Sequence, residues 1–398
     1  LVFKDLGVLL HIKGFLRHPP FCRRGFIQFC FAVAGLQAGM YVRRFFDTLV
    51  EFPADGHQEI CRALQISMRK QKAKRLIPTI LARTIARYME HFMTRILVTG
   101  SSGLLGLNLM QEVMQAHDAI GVDRGKLINA PFKLIKADVL NPGSLEYILD
   151  SAQPVWVINC IALPDLDACE KDPQLAQRLN VTLPGELARA CKARNISFVH
   201  ISTDAVFDGR KDGFYTEEDK PNPLSVYART KLEGEQAVLA ESKTAIVARV
   251  NFYGWSLSGR RSLAEFFHNN LIQGKSMSGF TDVRFCPMLV NDTARILIKM
   301  LQKGLSGLYH AVGPQAMSKY QFGVEIARKF GLREGEISPK SINTSGLIAK
   351  RANNLCLSIN KLCTDLEAVP PDFSTGLDEF YTQFQQGYPQ KIRSYQQK

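Results

Sequence analysis

A short apolar strand that runs into a glycine-punctuated turn and then a helix admits few folds, and the region around residue 100 reads in this way. Ile96-Leu97-Val98-Thr99 leads directly into Gly100-Ser101-Ser102-Gly103-Leu104-Leu105-Gly106. Gly100 lets the chain turn sharply off the strand, and Gly103 lets the backbone approach a pyrophosphate with no Cβ in the way. Gly106 lets the following helix pack closely on the sheet. The start of that helix offers free N–H groups and partial positive charge to phosphates. A glycine triplet alone is a weak signal, but this one has a strand before it and an amphipathic helix after it. Gly100, Ser102, Gly103, Leu104, Leu105 and Gly106 are therefore candidate dinucleotide-binding residues.

The rest of the chain supports such a fold. Strand-like runs at 94–99, 119–122, 133–137, 155–159, 196–201 and 245–250 alternate with helical patterns at 104–116, 143–151, 174–193 and 224–241. Near-continuous apolar strands separated by helices indicate a parallel sheet covered on both faces, a doubly wound α/β Rossmann fold. After residue 255 the alternation loosens into helices near 262–272, 291–303 and 318–331, with short strands around 283–286 and 307–311. The expected organisation is a basic, mainly helical extension over 1–92, an NAD(P)-binding Rossmann domain over 93–255, and a smaller substrate-binding lobe with the C-terminal tail over 256–398.

Charge separates the extension from the rest. Of the 398 residues, 50 are Lys or Arg and 37 Asp or Glu, a net of +13. Residues 1–92 hold 15 of the cations and 6 of the anions. The excess is thus concentrated outside the Rossmann pattern, and a nucleic-acid partner is not expected for the enzyme-like region. Residues 25–42 form an uncharged stretch between Arg23-Arg24 and Arg43-Arg44, but Gln28, Gln37 and three glycines make it a poor membrane span. The cationic run Arg69 to Arg75 reads more simply as a solvated helix face, with contact between the extension and a membrane surface as the alternative. Nine cysteines with no C-x-x-C pair suit a reducing cytosol, and a cytoplasmic location is expected.

Three further constellations carry chemistry. Asp123 closes the second strand, 23 residues after Gly100, where a carboxylate can accept hydrogen bonds from ribose hydroxyls and so favour NAD. Arg124 beside it could pair with a 2′-phosphate, so NADP stays open. Asp138-Val139, after the third strand, is placed to meet an adenine. Tyr227 and Lys231 lie at i, i+4 on a helix and share a face. A phenol is a poor proton donor and acceptor at neutral pH unless a cation stabilises its anion. Chance yields about two-thirds of one such match in this composition, so it is the position after the fifth strand that gives the pair meaning. His200-Ile201-Ser202-Thr203-Asp204-Ala205-Val206-Phe207-Asp208-Gly209 runs off the C-terminal end of that strand, the edge where parallel sheets bind ligands. A hydroxyl there can bond a substrate carbonyl beside Tyr227.

These motifs, with Asn159-x-x-Ala162, Pro221-Asn222-Pro223 and Arg249-Val250-Asn251-Phe252-Tyr253-Gly254, occur in an order that resembles the extended short-chain dehydrogenase/reductases, in the dTDP-4-dehydrorhamnose reductase branch. The resemblance spans about residues 93–385. It implies Thr203, Tyr227 and Lys231 as the catalytic group. It also implies that Gly100 to Gly106, Asp123, Asp138, Val139, Ile161, Ala162 and Ser202 line the cofactor, NADP or NAD, and that Asp204 and Phe252 lie near the sugar. The implied activity is reduction of a nucleotide-linked 4-keto-6-deoxy sugar, in deoxysugar or cell-surface polysaccharide biosynthesis, by a chain able to form a homodimer. Two departures bear on the sugar. Ala205 replaces the family's usual aromatic residue, and Thr281 to Pro287 lacks its common Gln/Gly pattern.

The methionine adenosyltransferase β subunit looks similar too, and it implies a non-catalytic, NADP-binding regulatory role as the alternative. No metal site emerges from the His and Cys spacing. His200, inside an apolar strand, reads as a packed core residue, and Cys160 as a small filler beside the cofactor.

Overall fold

The computed structural model describes residues 94–344 and 351–396. The expected helical extension, the uncharged stretch at 25–42 and the cationic run at 69–75 lie outside the described residues. Met93–Lys398 forms one compact unit.

Its centre is a seven-stranded, wholly parallel sheet of β1 (Arg95–Thr99), β2 (Asp118–Asp123), β3 (Lys133–Lys136), β4 (Trp156–Asn159), β5 (Ser197–Thr203), β6 (Ile246–Val250) and β9 (Gly307–Ala311). Their order across the sheet is β9-β6-β5-β4-β1-β2-β3. From β1 the chain proceeds outward through β2 and β3 on one side and returns through β4, β5 and β6 on the other. The order therefore reverses between β1 and β4, and the crevice at their carboxyl ends is where a doubly wound sheet binds ligands.

The apolar strands bury both faces, as their sequence requires. On one face lie α1 (Leu104–Val113) and α6 (Val290–Gln302), with Ile96, Val98, Leu109, Val199, Ile246 and Leu297 in one cluster. On the other lie α2 (Ser144–Ala152), α3 (Leu183–Ala193) and α4 (Val226–Glu241), with Leu97, Ile148, Val157, Leu187, Phe198 and Val238.

Two expectations need correction. Residues 307–311 do not belong to a smaller lobe. As β9 they pair with β6 and extend the central sheet, where Tyr309 and Ala311 join its buried core. The single helix expected over 174–193 is also interrupted, by a π-helical turn at Arg178–Thr182. That turn pushes the Asn180 carbonyl toward α4, where a Cβ on Gly234 would stand 2.1 Å from it. The Asn180 side chain then bonds Leu163 and Thr230 Oγ1.

A further, aromatic cluster lies beside the sheet. It includes Tyr253, Phe267, Phe285, Phe322, Phe373 and Phe380 from β7 (Phe252–Tyr253), β8 (Arg284–Phe285), α5 (Leu263–Ile272), α7 (Lys319–Lys329) and α8 (Phe373–Gln385), with Trp255 just after β7. Trp255 stacks on Phe380 at 4.1 Å and donates its Nε1–H to the Phe380 carbonyl. This packing fixes the 252–261 segment beside the crevice.

Candidate active site

One cavity at the carboxyl edge of the sheet brings together the candidate catalytic, cofactor and substrate residues. Its wall includes Gly100, Ser102, Gly103, Leu104, Leu105, Gly106, Asp123, Arg124, Asp138, Val139, Ile161, Ala162, Ser202, Thr203, Asp204, Tyr227, Lys231 and Phe252. Cys160 lines it too, as do Lys126, Asn251 and Arg261, and none of these last three was given a role by the sequence.

The glycine turn is built for close approach. Gly100 adopts φ +70°, a conformation that excludes most side chains. A Cβ on Gly106 would stand 2.2 Å from the Gly100 carbonyl, so only glycine lets α1 start this near the strand. Gly103 caps the helix with no side-chain hydrogen bond, which leaves first-turn N–H groups for an anion. These features fit a dinucleotide pyrophosphate. Asp123 is buried and spends Oδ1 on the N–H groups of Gly125, at 2.7 Å, and Lys126, at 2.5 Å. Arg124 is exposed and only 3.9 Å from the Asp138 carboxylate, so its guanidinium is loosely held.

At the other end of the cavity, Tyr227 is half-buried and Lys231 fully buried. Ser225 caps α4 by accepting from the Ala228 N–H, which starts the helix one residue before the tyrosine. The Thr203 hydroxyl bonds the Asp204 carboxylate at 3.1 Å and also reaches the phenol. Burial pushes the Tyr227 phenol up to about 12, opposed by Thr203 and helped to a lesser extent by the Asp204 carboxylate. Asp204, buried and bonded by Asn251, is itself pushed up to about 6, chiefly by burial.

Lys231 differs from expectation. Its Nζ donates to the Ile201 carbonyl at 2.6 Å and lies 3.3 Å from His200 Nε2. Burial brings its pKa down to about 8. The groups acting on the phenol are Thr203, Asp204 and Cys169, so this geometry does not produce the expected lowering of Tyr227 by Lys231. Ser202 also does more than line the cavity, since its hydroxyl bonds Glu235. Cys160 is the inert filler expected of it, with burial pushing its thiol up to about 12.

Arg261 was missed because the pattern beside it, Ser262-x-x-Glu265, marks a helix start rather than a ligand site. It reaches the cavity through a loop organised by the buried Glu265, whose carboxylate accepts from Ser256 N–H, Ser256 Oγ and Arg261 N–H. Ser262 and Glu265 form a capping box at the start of α5. The S-x-x-E spacing was the available signal. Among the described residues, no group of three or more His, Cys, Asp or Glu is placed to hold a metal ion. None of the described helices is long and apolar enough to cross a membrane.

Comparison with known proteins agrees with this geometry. Residues 93–386 match the family described as RmlD substrate binding domain. The chain is 33% identical over 267 residues to a Haloferax volcanii protein named "Probable low-salt glycan biosynthesis reductase Agl14", covering 66% of this chain and 89% of that protein. It is 32% identical over 254 residues to methionine adenosyltransferase 2 subunit beta of Bos taurus, covering 62% and 75%. Its fold matches that of a dTDP-4-dehydrorhamnose reductase from Bacillus anthracis, solved in complex with NADP, with a TM-score of 0.67 at 24% identity, over 73% of this chain and all of that one.

Proposed function

The chain belongs to the RmlD substrate-binding-domain family of extended short-chain dehydrogenase/reductases, and from that premise we propose that it is an NAD(P)H-dependent reductase of a nucleotide-linked 4-keto-6-deoxy sugar. The observation that carries this reading is the convergence of Thr203, Tyr227 and Lys231 on the cavity that also holds the glycine turn.

Gly100 to Gly106 and the first turn of α1 would hold the cofactor pyrophosphate, and Asp123 and Asp138 its adenosine half. When bound, the reduced nicotinamide supplies a hydride to the keto carbon. The protein's part is to place the carbonyl and deliver a proton. Tyr227, kept protonated by burial, is a neutral donor whose O–H proton passes to the developing alkoxide. Thr203 ties that phenol to Asp204 and fixes where the proton leaves from. Lys231, fixed by the Ile201 carbonyl, holds a nicotinamide ribose and, when protonated, offsets the tyrosinate left after transfer. Asp204, Asn251 and Phe252 contact the sugar, and reduction would serve glycan or deoxysugar synthesis.

The test is a panel of 4-keto-6-deoxy sugars on dTDP, UDP and GDP, each given to the full-length protein with NADPH or NADH and followed by product analysis. A 4-hydroxy product from at least one member is expected, and no product from any member contradicts the reading. A second reading, a cofactor-binding regulatory subunit, is favoured by the 32% identity to methionine adenosyltransferase 2 subunit beta. Co-purification with a methionine adenosyltransferase, together with an inert panel, would support it.

A further inference from the structure

Register lines up three polar residues across the centre of the sheet, Thr99 on β1, Asn159 on β4 and His200 on β5. All three are buried. Thr99 Oγ1 donates to Asn159 Oδ1 at 2.7 Å, and the same oxygen accepts from the Ile161 N–H at 3.2 Å. Turning the amide over would set its NH2 against the Ile161 N–H, donor facing donor. Asn159 Nδ2 therefore points its hydrogens at His200 Nδ1, 3.2 Å away, and Nδ1 must accept.

A neutral imidazole carries one N–H. With Nδ1 accepting, the proton sits on Nε2, which lies 3.3 Å from Lys231 Nζ. An ammonium has three donors and no acceptor, so a protonated Lys231 would meet the Nε2–H donor to donor. An uncharged amine satisfies both neighbours. It accepts from His200 Nε2–H and donates to the Ile201 carbonyl.

We propose that His200 is a positioning residue of this active site, donating from Nε2–H to the Lys231 amine so that the row Thr99, Asn159, His200 fixes Nζ and favours its uncharged form. The other groups facing Lys231 leave this assignment standing. Glu235, one turn along α4, favours the ammonium, but its carboxylate is already paired with Arg249 through two hydrogen bonds. Cys160, after β4, stays a neutral thiol, and Tyr227, one turn back on α4, a neutral phenol. Burial keeps the His200 ring uncharged. Lys231 can then gain or lose its proton near neutral pH, where a residue that must offset a transient tyrosinate is most useful.

The experiment uses full-length protein with nitrogen-15 histidine and labelled lysine side chains, read by NMR across a pH titration. His200 is expected to be neutral with its proton on Nε2, and Lys231 to titrate near 8. His200→Leu removes the donor and keeps the site dry. It should raise the Lys231 midpoint by about one pH unit, roughly the net worth of one hydrogen bond to the neutral amine. The alkaline limb of kcat/KM should move with it. A wild-type proton on Nδ1, or an unmoved Lys231 midpoint in the variant, overturns the proposal. If His200→Leu fails to fold, the wild-type tautomer alone decides. The consequence for turnover rests on the reductase reading, whereas the tautomer and the titration do not. A protein that shows both yet reduces nothing would refute that reading and leave this one intact.

Discussion

The Ser202 hydroxyl donates to the Glu235 carboxylate at 2.5 Å, joining the end of β5 to α4 one turn beyond Lys231. The same carboxylate takes two hydrogen bonds from Arg249 on β6, at 2.9 and 2.7 Å, and all three residues are buried. The active-site helix is thereby pinned to two strands of the sheet. Ser202 serves this tie as well as lining the cavity.

Glu235→Gln keeps the shape of the tie and removes its charge, stranding the Arg249 guanidinium in the interior. The expected loss is roughly 3–5 kcal/mol in urea unfolding, because breaking one side of a buried pair leaves the other uncompensated. The double variant Glu235→Leu with Arg249→Met should recover most of it. A single variant within about 0.5 kcal/mol of wild type would show that the pair contributes little.

Asp204 gives a stability effect of opposite sign. Its carboxyl is raised from 3.8 to about 6, so the folded protein holds its proton more tightly than the unfolded chain does. Stability should therefore fall as pH rises through that window, and the burden is fully present above it. Asp204→Asn should stabilise the protein by up to about 2 kcal/mol at neutral pH and by little below about pH 4. Thermal unfolding at the two pH values reads this directly, and a variant less stable at neutral pH would mean that the carboxylate is held by more than Thr203 and Asn251.

Gly106→Ala tests the cradle. The new Cβ would meet the Gly100 carbonyl at 2.2 Å, a backbone group that cannot swing aside as a side chain could. Relief by shifting the turn should cost about 1–3 kcal/mol and weaken cofactor binding by roughly tenfold or more. Titration of cofactor fluorescence measures it, and unchanged affinity would remove the turn from the binding site.

Arg124 tests which cofactor the adenosine end prefers. The residue is exposed, loosely paired with Asp138, and next to a carboxylate partly committed to its own turn. Arg124→Ala should lower kcat/KM for NADPH by about tenfold, the scale of one charged hydrogen bond, and spare NADH. Equal losses with both would place Arg124 away from a 2′-phosphate.

Local patterns carried much of the architecture. The six strands read from apolar runs all occur, the inner ones because burial on both faces makes them unbroken apolar segments, while the edge strand β3 keeps only Leu134 and Ile135 between two exposed lysines. The glycine turn and the Tyr227–Lys231 pair were visible because their geometry is set within a few residues. What the sequence hid is non-local. That residues 307–311 join the central sheet depends on pairing with β6, some 60 residues earlier. The π-helical turn at Arg178–Thr182 answers to Gly234 on another helix. His200 looked like core packing because Asn159 and Lys231, which use its ring nitrogens, lie 41 and 31 residues away. Arg261 enters the cavity only through a loop folded around Glu265.

The central claim, that Tyr227 delivers a proton while reduced nicotinamide reduces a keto sugar, is tested most directly by single-turnover oxidation of NADPH or NADH. Full-length wild type and Tyr227→Phe are each mixed with a reactive 4-keto-6-deoxy sugar nucleotide, and the near-ultraviolet absorbance of the reduced cofactor is followed. The account predicts one cofactor oxidised per sugar reduced in wild type, and a rate lower by roughly 10²–10⁴ in the variant at unchanged cofactor affinity. Equal rates in the two proteins would contradict it.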